Sequence, residues 1–400
     1  MNTVYTVLFL IVGNGLLSIW IYRHSKHHRG AKQDLIRTFQ YRAYCHHVTE
    51  TNALRWLELC HTLYNLGLEQ RIVLWGQFRK SISLYSQLNQ LPELKRTFPE
   101  FTQVGSQVLQ DVLERLDRTF QAFFQRCKQG KSGFPRFKSK ERYDSFTLKQ
   151  CGWKLIENNY LAISNVGAFK LKLSRPIEGR IKTVTVRRAR TGKWFVSFSC
   201  DNVPARRFPE SQKNIGIDVG LKHFLVDSDG NVVKNPKFLK QSLDILARRQ
   251  QSLSRKVKGS HRRQKAKRLV SKLYEKIADQ RKDFLHKVSN SYIRDFKTIF
   301  IEDLKIDGMI RNKYLSRSIA DASWGLFFEM LRAKAEEAGR EVTKVKPNGT
   351  SQLCSACGER VPKSLSDRVH VCSCGCILDR DHNAALNVLR VGQTHQVSFA

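Results

Sequence analysis

Half of the chain's cysteines lie in one short segment near its C-terminal end, where their spacing indicates metal binding. Of the ten cysteines, five fall between Cys354 and Cys376. They form two Cys-Gly knuckles, CSACG from Cys354 and CSCG from Cys372, with 14 residues between Cys357 and Cys372. This arrangement is typical of a zinc ribbon, in which four thiolates hold one structural zinc ion.

The second knuckle leaves two cysteines as alternatives for the fourth zinc ligand. Only one residue separates Cys372 from Cys374, where two are usual, so Cys376 competes for the position. A glycine follows Cys374 as one follows Cys357, and this symmetry favours Cys374. The other five cysteines are scattered without paired spacing, which indicates a reducing cytosol and not a disulfide framework. The predicted ligands of one structural Zn²⁺ are Cys354, Cys357, Cys372 and Cys374.

Two acidic residues interrupt apolar strand patterns further upstream. Asp218 lies in IGIDVG, and Glu302 follows the apolar run of TIFIEDL. A carboxylate among aliphatic neighbours needs a partner, and a divalent cation is the usual one. Either acid alone is more often a strand-end cap or an ion-pair member. Together they are strand-borne acids in the order of a ribonuclease H-like site, in which the first and fourth strands lie side by side.

A third carboxylate follows the second knuckle, in DRDHNAALNV. Asp381 stands at a predicted helix start, and the small alanines after it would let this helix approach the sheet closely. Asp379 is the alternative, although its ordinary role would be a helix N-cap. Three converging acids can hold two Mg²⁺ or Mn²⁺ ions, bind a scissile phosphate and activate a water. The predicted chemistry is metal-dependent phosphodiester hydrolysis, with no histidine or lysine base required.

The charge balance predicts a polyanionic partner. The chain has 70 Lys and Arg against 35 Asp and Glu, a formal net charge of +35. Nucleic acid is the leading partner, although a ribosome-bound structural protein or a membrane-surface protein would share this charge. Residues 248–268 carry ten Lys or Arg and no acid, whereas a solvated helix face would normally alternate its charges. The predicted phosphate contacts are Arg248, Arg249, Arg255, Lys256, Lys258, Arg262, Arg263, Lys265, Lys267 and Arg268.

Sequence periodicity predicts the elements that must position these residues. DLIRTFQYRAY is typical of a strand, helical spacing follows from about Glu50 to Lys128, and period-two alternation extends from Ser145 to Asn202. These parts predict a small β-barrel split by a helical insert. From Asn214, a β-meander precedes long basic helices and then alternating strands and helices, which fits a mixed α/β layer of the ribonuclease H type.

Three other segments carry local signals. In the first long helix, Leu54, Leu57, Leu63 and Leu66 are predicted to share a face, and the nearby aromatic and Cys residues are predicted to be core. GKSGFPRFKSK, residues 130–140, is a loop that could grip a nucleic-acid backbone while its rings stack on bases or on the core. The first 22 residues carry no charge and precede RHSKHHRG, which indicates either a membrane span with a cytosolic flank or, as we favour, an extension from a misplaced start.

Several motifs together resemble one family. IGIDVG, FIEDL, GTSQLCSACG, VCSCGCILDRDHNAALNV and GFPRFK are similar to the TnpB/OrfB family of insertion-sequence proteins, over roughly Asp34 to Val391. That family is related to the type V CRISPR effector nucleases, and the resemblance implies a cytoplasmic, RNA-guided DNA endonuclease with a RuvC-like domain. On this resemblance Asp218, Glu302 and Asp381 match the catalytic acids, and the four predicted cysteines match the zinc ligands.

The resemblance also implies partners and an architecture. The partners would be a guide RNA from the transposon end and double-stranded target DNA, with no small-molecule substrate, and with a membrane only if the N-terminal segment is a genuine span. The implied fold class is α+β and multidomain: a split β-barrel or wedge with an inserted helical bundle, then a ribonuclease H-like (RuvC-like) α/β domain interrupted by a zinc ribbon. The predicted domains are as follows. Residues 1–31 form the extension or span, residues 32–48 and 129–205 form the wedge-like β module, and residues 49–128 form the helical recognition domain. Residues 213–349 and 377–392 form the nuclease domain, residues 350–376 form the zinc ribbon, and residues 393–400 form the tail.

Two other functions remain open at this point. A nucleic-acid-binding regulator with an inactive site would be favoured by loss of any of the three acids, but all three are present. A transposase that joins strands itself is the other, since strand-transferring enzymes of this fold also use three acids. The chain lacks an evident tyrosine with a histidine pair, the constellation of a different transposase chemistry.

Overall fold

The computed structural model describes residues 35–397, except for positions 158, 207, 348, 365 and 366. The predicted extension or span at residues 1–31 lies outside the described residues. Within the described residues, no helix combines the length and the apolar character needed to cross a membrane.

A seven-stranded antiparallel sheet organises the first part of the chain, with the order β2-β6-β7-β1-β5-β4-β3. Its central strand β1 precedes the helical segment, and the other six strands follow that segment, so the sheet is split in sequence as expected. The alternation in β1 buries Phe39, Tyr41 and Ala43 on one face. The strands are β1 Arg37–Cys45, β2 Ser145–Leu148, β3 Trp153–Ile156, β4 Tyr160–Ile163, β5 Gly167–Lys172, β6 Arg180–Arg188 and β7 Trp194–Asp201.

Four helices form the insert and share a hydrophobic core with this sheet. They are α1 His47–Phe78, α2 Leu84–Asn89, α3 Leu91–Thr97 and α4 Ser106–Lys128, and 3₁₀ turns occupy Pro99–Gln103 and Lys140–Arg142. The predicted leucine face of α1 is wrong in half of its members, because Leu54 and Leu66 are exposed. Leu57 and Leu63 are buried beside Trp56, Cys60 and Tyr64, which are core residues as expected.

The second part contains a five-stranded sheet with the order β10-β9-β8-β11-β12. The first three strands form the expected antiparallel meander. β11 runs parallel to both β8 and β12, so the first and fourth strands in sequence are neighbours, as a ribonuclease H-like arrangement requires. The bounds are β8 Asn214–Val219, β9 His223–Asp227, β10 Val232–Lys234, β11 Thr298–Glu302 and β12 Glu341–Val345.

Helices connect these strands. α6 and α7 form a basic hairpin, and a small apolar cluster of Leu246, Val270, Leu273 and Ile277 joins its two arms. α10 packs on α7 and contributes Trp324, Phe327 and Leu331 to the core of the second part. The helices are α5 Phe238–Gln241, α6 Leu243–Ser254, α7 His261–Asp295, α8 Ile306–Met309, α9 Ser316–Ala322 and α10 Trp324–Ala338.

The C-terminal segment forms a small hairpin and then a helix that packs on the five-stranded sheet. β13 Val369–Val371 pairs with β14 Ile377–Asp379, and α11 extends from Arg380 to Val397. The hairpin therefore ends three residues beyond the predicted ribbon boundary at 376, and the helix continues into the predicted tail. The buried residues Ala384 and Ala385 face the sheet, as expected from their small size.

Glycine permits this close helix packing. A Cβ atom on Gly216 of β8 would lie 2.3 Å from the carbonyl oxygen of Ala385, so only glycine fits the contact. Gly392 of α11 meets Phe300 of β11 in the same way, because its Cβ would fall 2.1 Å from a ring carbon. These two contacts fix the height of α11 above β8 and β11, the strands that carry Asp218 and Glu302.

A candidate carboxylate site beside a cysteine cluster

The structure brings the three predicted acids to one edge of the five-stranded sheet. The register of the parallel pair places Ile217 opposite Ile301, so the next residues, Asp218 and Glu302, occupy equivalent positions on adjacent strands. Asp381 lies in the first turn of α11, and its Oδ2 atom is 3.9 Å from the position that a Cβ on Gly220 would take. Gly220 directly follows β8, so the helix delivers Asp381 to the end of the strand that carries Asp218.

Burial and mutual repulsion act on these carboxyl groups. Burial raises the pKa of Asp218 well above its usual range, and the nearby charges of Glu302 and Asp381 raise it further, against the opposing charge of Arg380. Burial also raises the pKa of Glu302, while a hydrogen bond donated by the Thr350 hydroxyl to Glu302 Oε1 lowers it. Asp381 Oδ1 lies 3.4 Å from Arg380 Nε. A divalent cation would relieve this concentration of negative charge.

The three carboxylates are near one another, but their oxygen atoms do not all lie within 4.8 Å of one another. Within the described part of the chain, the groups of three or more ligand atoms that lie within 4.8 Å of one another consist of cysteines, in one case with a histidine, and not of these acids. The residue types still fit Mg²⁺ or Mn²⁺, because both cations prefer carboxylate oxygen and retain several waters.

The structure distinguishes between the two candidate aspartates at the start of α11. The exposed Asp379 accepts hydrogen bonds at Oδ1 from the backbone N–H groups of Asp381, at 2.8 Å, and His382, at 3.3 Å. Asp379 therefore caps the helix N-terminus. Its side chain is engaged in that cap, which leaves Asp381 as the carboxylate of this segment near Asp218.

Two asparagines of α11 join the acidic site to the first cysteine knuckle. Asn387 Nδ2 donates to the carbonyl oxygens of Thr350, at 2.8 Å, and Leu353, at 2.7 Å, and Asn383 Nδ2 donates to the same Leu353 oxygen at 2.8 Å. Asn383 Oδ1 also accepts from Ser355 N–H at 2.9 Å. Both asparagines are fully buried. We call this arrangement the asparagine clamp. Sequence reasoning missed it, although the i, i+4 spacing in HNAALN was a usable signal.

The four predicted zinc ligands converge. The sulfur atoms of Cys354, Cys357, Cys372 and Cys374 all lie within 4.8 Å of one another. The Sγ atoms of Cys354 and Cys374 are 3.7 Å apart, and those of Cys357 and Cys372 are 3.5 Å apart. Thiolates bound to one tetrahedral Zn²⁺ with bonds of about 2.3 Å are roughly 3.8 Å apart. The set therefore has the chemistry and the spacing for a structural zinc ion.

Cys376 belongs to a different group. Its sulfur, a ring nitrogen of His370 and Cys354 Sγ lie within 4.8 Å of one another. His370 is fully buried, and its Nδ1 atom is hydrogen bonded to the Lys363 ammonium. This group offers three ligand atoms and shares Cys354 with the set of four sulfurs, to which Cys374 belongs and Cys376 does not, so the geometry favours Cys374 over Cys376 as the fourth ligand.

The ten predicted phosphate contacts divide into two groups on the helical hairpin. Arg249 donates to the carbonyl of Leu269, and Arg263 donates to the carbonyls of Leu253 and Lys256 at the hairpin turn, at 2.9 and 2.8 Å. Lys267 pairs with Glu141 of the first part of the chain. These three residues help to fasten the hairpin. The other seven are exposed and available to a polyanion: Arg248, Arg255, Lys256, Lys258, Arg262, Lys265 and Arg268.

Family models match two adjoining segments of the chain. The OrfB_IS605 family, described as "Probable transposase", matches residues 197–313, which include β8 and β11 with Asp218 and Glu302. The Cas12f1-like TNB domain matches residues 324–388, which include the cysteines and Asp381. Together the two matches contain every residue of the carboxylate site and the cysteine cluster.

Individual proteins show similarity over most of the chain. A Streptomyces pristinaespiralis protein named "Putative RNA-guided DNA endonuclease" is 34% identical over 372 residues, 90% of each chain. Another from Escherichia coli K12, "Putative RNA-guided DNA endonuclease InsQ", is 34% identical over 305 residues, 72% of this chain and 74% of its own. Among solved structures, "Cryo-EM structure of the Cas12f1-sgRNA-target DNA complex" contains a chain with TM-score 0.56 and 16% identity, covering 86% of this chain and 83% of that one.

The similarity to the Cas12f1 chain shows the fold: this chain has the same mixed α+β architecture as that class of multidomain protein. Within this class, the chain belongs to the TnpB/OrfB family of insertion-sequence proteins, as the family matches and the 34% identity over 90% of both chains show. The resemblance predicted from the motifs is thereby confirmed.

Proposed function

We propose that this chain is a transposon-associated, RNA-guided DNA endonuclease that hydrolyses phosphodiester bonds at Asp218, Glu302 and Asp381. The observation that carries the proposal is the parallel pairing of β8 with β11, which sets two acids side by side while α11 brings the third. Relatives that match most of the chain are named as RNA-guided DNA endonucleases, which supports the same activity.

The proposed nuclease domain is RuvC-like and comprises residues 213–349 and 377–392. Its support is the strand order, in which an antiparallel meander is followed by parallel strands. The ribbon at 350–376 would anchor α11 through the asparagine clamp. The β module at 32–48 and 129–205 would act as the wedge, and the helices at 49–128 as the recognition domain.

Two kinds of metal ion fit the residues present. Mg²⁺ or Mn²⁺ would be held by Asp218, Glu302 and Asp381, and would supply phosphate binding and water activation when present. Zn²⁺ would be held by Cys354, Cys357, Cys372 and Cys374 as a structural ion. At the acidic site the protein orients the carboxylates. Strand pairing fixes the positions of Asp218 and Glu302, and helix packing fixes the position of Asp381.

The proposed partners are a guide RNA from the transposon end and double-stranded target DNA. The seven exposed cations of the hairpin would contact phosphates without reading sequence, because base pairing with the guide reads the target. We propose the cytoplasm as the location, where free thiols persist. The structure has all ten cysteines as free thiols.

A cleavage assay with paired aspartate variants tests this function. The protein is purified with its bound RNA, that RNA is sequenced, and cleavage of DNA matching the guide is measured with Mg²⁺. In Asp218→Ala, we expect cleavage to fall by about 10³-fold or more, since metal-based charge stabilisation is worth several kcal/mol. Asp379→Ser is the matched control, because serine preserves the helix cap while removing a carboxylate, and it should cleave normally.

The same assay separates the alternatives. Full activity in Asp218→Ala would exclude this site as catalytic. A wild-type protein that binds RNA and DNA but leaves the DNA intact would indicate the regulatory function. The OrfB_IS605 description as a transposase makes strand transfer the second candidate, and joined DNA products in the wild-type reaction would reveal it.

A further inference from the structure

The loop GKSGFPRFKSK, residues 130–140, takes no part in the carboxylate site or the cysteine cluster. It links α4 to the rest of the β module and has four cations and no acid. Its residues Arg136 and Phe137 are exposed, Phe137 at 54%, and Phe134 is 49% exposed although its ring also packs on α4. Single exposed aromatic residues are common on protein surfaces, so the surroundings of Phe137 must decide whether it has a role.

The loop is anchored before this exposed pair. Arg126 Nη2 donates to the carbonyl oxygen of Gly133 at 2.8 Å. The ring of Phe134 packs edge-on against Phe120 and Phe123, with centroid distances of 5.8 and 5.3 Å. Pro135 is buried. The chain therefore reaches Arg136 along a fixed path on α4.

A second anchor follows directly after the exposed pair. Asn65 accepts from Lys138 N–H and donates to the Lys138 carbonyl, both at 3.0 Å. His61 Nε2 also lies 2.7 Å from that carbonyl. The Lys138 ammonium lies over the rings of Tyr64, at 4.3 Å, and Tyr143, at 5.3 Å. Two residues between two anchors have little freedom to retract, so the ring of Phe137 is held outward.

We propose that Arg136 and Phe137 form a stacking platform for an unpaired base of a bound nucleic acid, an inference that rests on the proposed function. A phenylalanine has no group that could read base edges in a groove, but its face can stack on any exposed base. The neighbouring guanidinium suits the phosphate of the same nucleotide. Because the platform is already ordered, binding costs little conformational entropy.

The charge of the loop favours a nucleic acid over a protein partner. Lys131, Arg136, Lys138 and Lys140 lie within ten residues, and the chain as a whole carries a net charge of +35. Lys140 has an internal partner, Glu58 Oε1 at 2.7 Å, and Lys138 is engaged with the two tyrosines. Lys131 and Arg136 are exposed in the same loop and can attract a phosphate backbone.

Oligonucleotide binding by Phe137 variants tests the platform. The full chain with its co-purified RNA is titrated, by fluorescence anisotropy, into labelled single-stranded DNA, single-stranded RNA and a blunt DNA duplex. Phe137→Ala should weaken binding of at least one single-stranded probe by about tenfold, and Phe137→Trp should stay close to wild type. Phe137→Leu should behave like the alanine variant, because it keeps apolar surface but has no ring. The probe that loses affinity identifies the strand that the platform binds.

Two controls make the outcome decisive. Thermal unfolding of every variant should match wild type, since the substituted ring is exposed. Tyr314→Ala removes another ring, 92% exposed between α8 and α9 and outside the proposed recognition domain, and should leave binding unchanged. Normal binding by Phe137→Leu, or an equal loss on the duplex, would overturn the platform.

The platform and the nuclease function fail in different ways. If wild type cuts a matching target and Phe137→Ala binds and cuts it equally well, only the platform is wrong. If wild type binds single strands through Phe137 but does not cut a matching target, only the nuclease function is wrong.

Discussion

A few residues of sequence separate Cys376 of the cysteine region from Asp381 of the carboxylate site, yet the fold assembles the two sites in different ways. The four cysteine sulfurs are gathered within 4.8 Å, at a spacing that already suits zinc. The three acids are less tightly gathered, and burial and repulsion raise the pKa of Asp218 well above its usual range. In the cysteine cluster, backbone hydrogen bonds lower the pKa of Cys354 to about 5 while the pKa of Cys357 is raised to about 12, so one thiolate can lie beside a neutral thiol. Carboxylates in a partly buried site repel one another.

The comparison indicates that one site is built by local turns and the other by tertiary packing. Each cysteine pair lies in a short knuckle, so few residues fix its geometry. The acids come from β8, β11 and α11, which are far apart in sequence and meet only when the helix docks on the sheet. The asparagine clamp and Thr350 connect the two, because Thr350 contacts both Asn387 and Glu302.

The largest expected effect separates Cys374 from Cys376. Cys374→Ser should lose zinc, while Cys376→Ser should retain one zinc per chain, because Cys374 completes the group of four sulfurs that lie within 4.8 Å of one another and Cys376 lies outside that group. Zinc binding is worth about 10–16 kcal/mol in isolated zinc fingers, so the loss should unfold the ribbon. Elemental analysis and thermal unfolding measure the two results. Zinc loss in Cys376→Ser alone would show that Cys354, His370 and Cys376 hold the ion.

A tertiary packing defect should damage the carboxylate site and spare the cluster. In Gly216→Ala the new methyl group would meet the Ala385 carbonyl oxygen, so α11 must move and carry Asp381 with it. We expect a loss of about 1–3 kcal/mol in the free energy of unfolding and slower DNA cleavage, with zinc content unchanged.

Gly76→Ala is the matched control for that variant. Gly76 lies in α1, and a Cβ there meets nothing within 4 Å. Alanine should stabilise this helix by about 0.5–1 kcal/mol without affecting cleavage. Normal cleavage by Gly216→Ala would show that the position of α11 tolerates movement and that Asp381 is less constrained than inferred.

The sequence predicted those parts of the site that depend on local pattern. Asp218 and Glu302 were recognisable because each interrupts or ends an apolar strand, and the strand order then set them side by side. The knuckle spacing and the glycine after Cys374 pointed to the four cysteines whose sulfurs converge, and their binding of zinc stays a prediction. The alanines after Asp381 correctly predicted a close helix, but the glycine that receives them, Gly216, was not identified.

Other features depend on which partner a side chain meets, and sequence pattern alone could not show that. Leucines occur on several sides of α1, and packing against α4 and the sheet, not periodicity, selects the buried face. Arg263 has the same local sequence context as Arg262, yet Arg263 reaches two carbonyl groups at the hairpin turn while Arg262 is exposed. The hydrogen bonds of the asparagine clamp join positions 28 to 37 residues apart in sequence.

Loss of the asparagine clamp should cause a defect of similar size that affects both sites. Asn387→Ala removes two hydrogen bonds and leaves the carbonyl oxygens of Thr350 and Leu353 with fewer donors in a buried position. We expect a loss of about 1–3 kcal/mol in unfolding free energy, measured by denaturant titration, together with weaker zinc retention against a chelator. Unchanged zinc retention would show that the ribbon holds its geometry without α11.

The smallest effect should be a pH shift caused by Thr350. Its hydroxyl donates to Glu302 and lowers the pKa of that carboxyl against the raising effect of burial. Removing the donor in Thr350→Val should therefore raise the pKa of Glu302 further. Because the ionised carboxylate is the form that holds a cation, the acidic limb of the cleavage rate should move to higher pH, with less change at alkaline pH.

Thr350→Ser keeps the hydroxyl and should restore the wild-type profile. An unshifted profile in the valine variant would mean that Glu302 does not control the acidic limb, so that Asp218, the more strongly perturbed carboxyl, controls it instead.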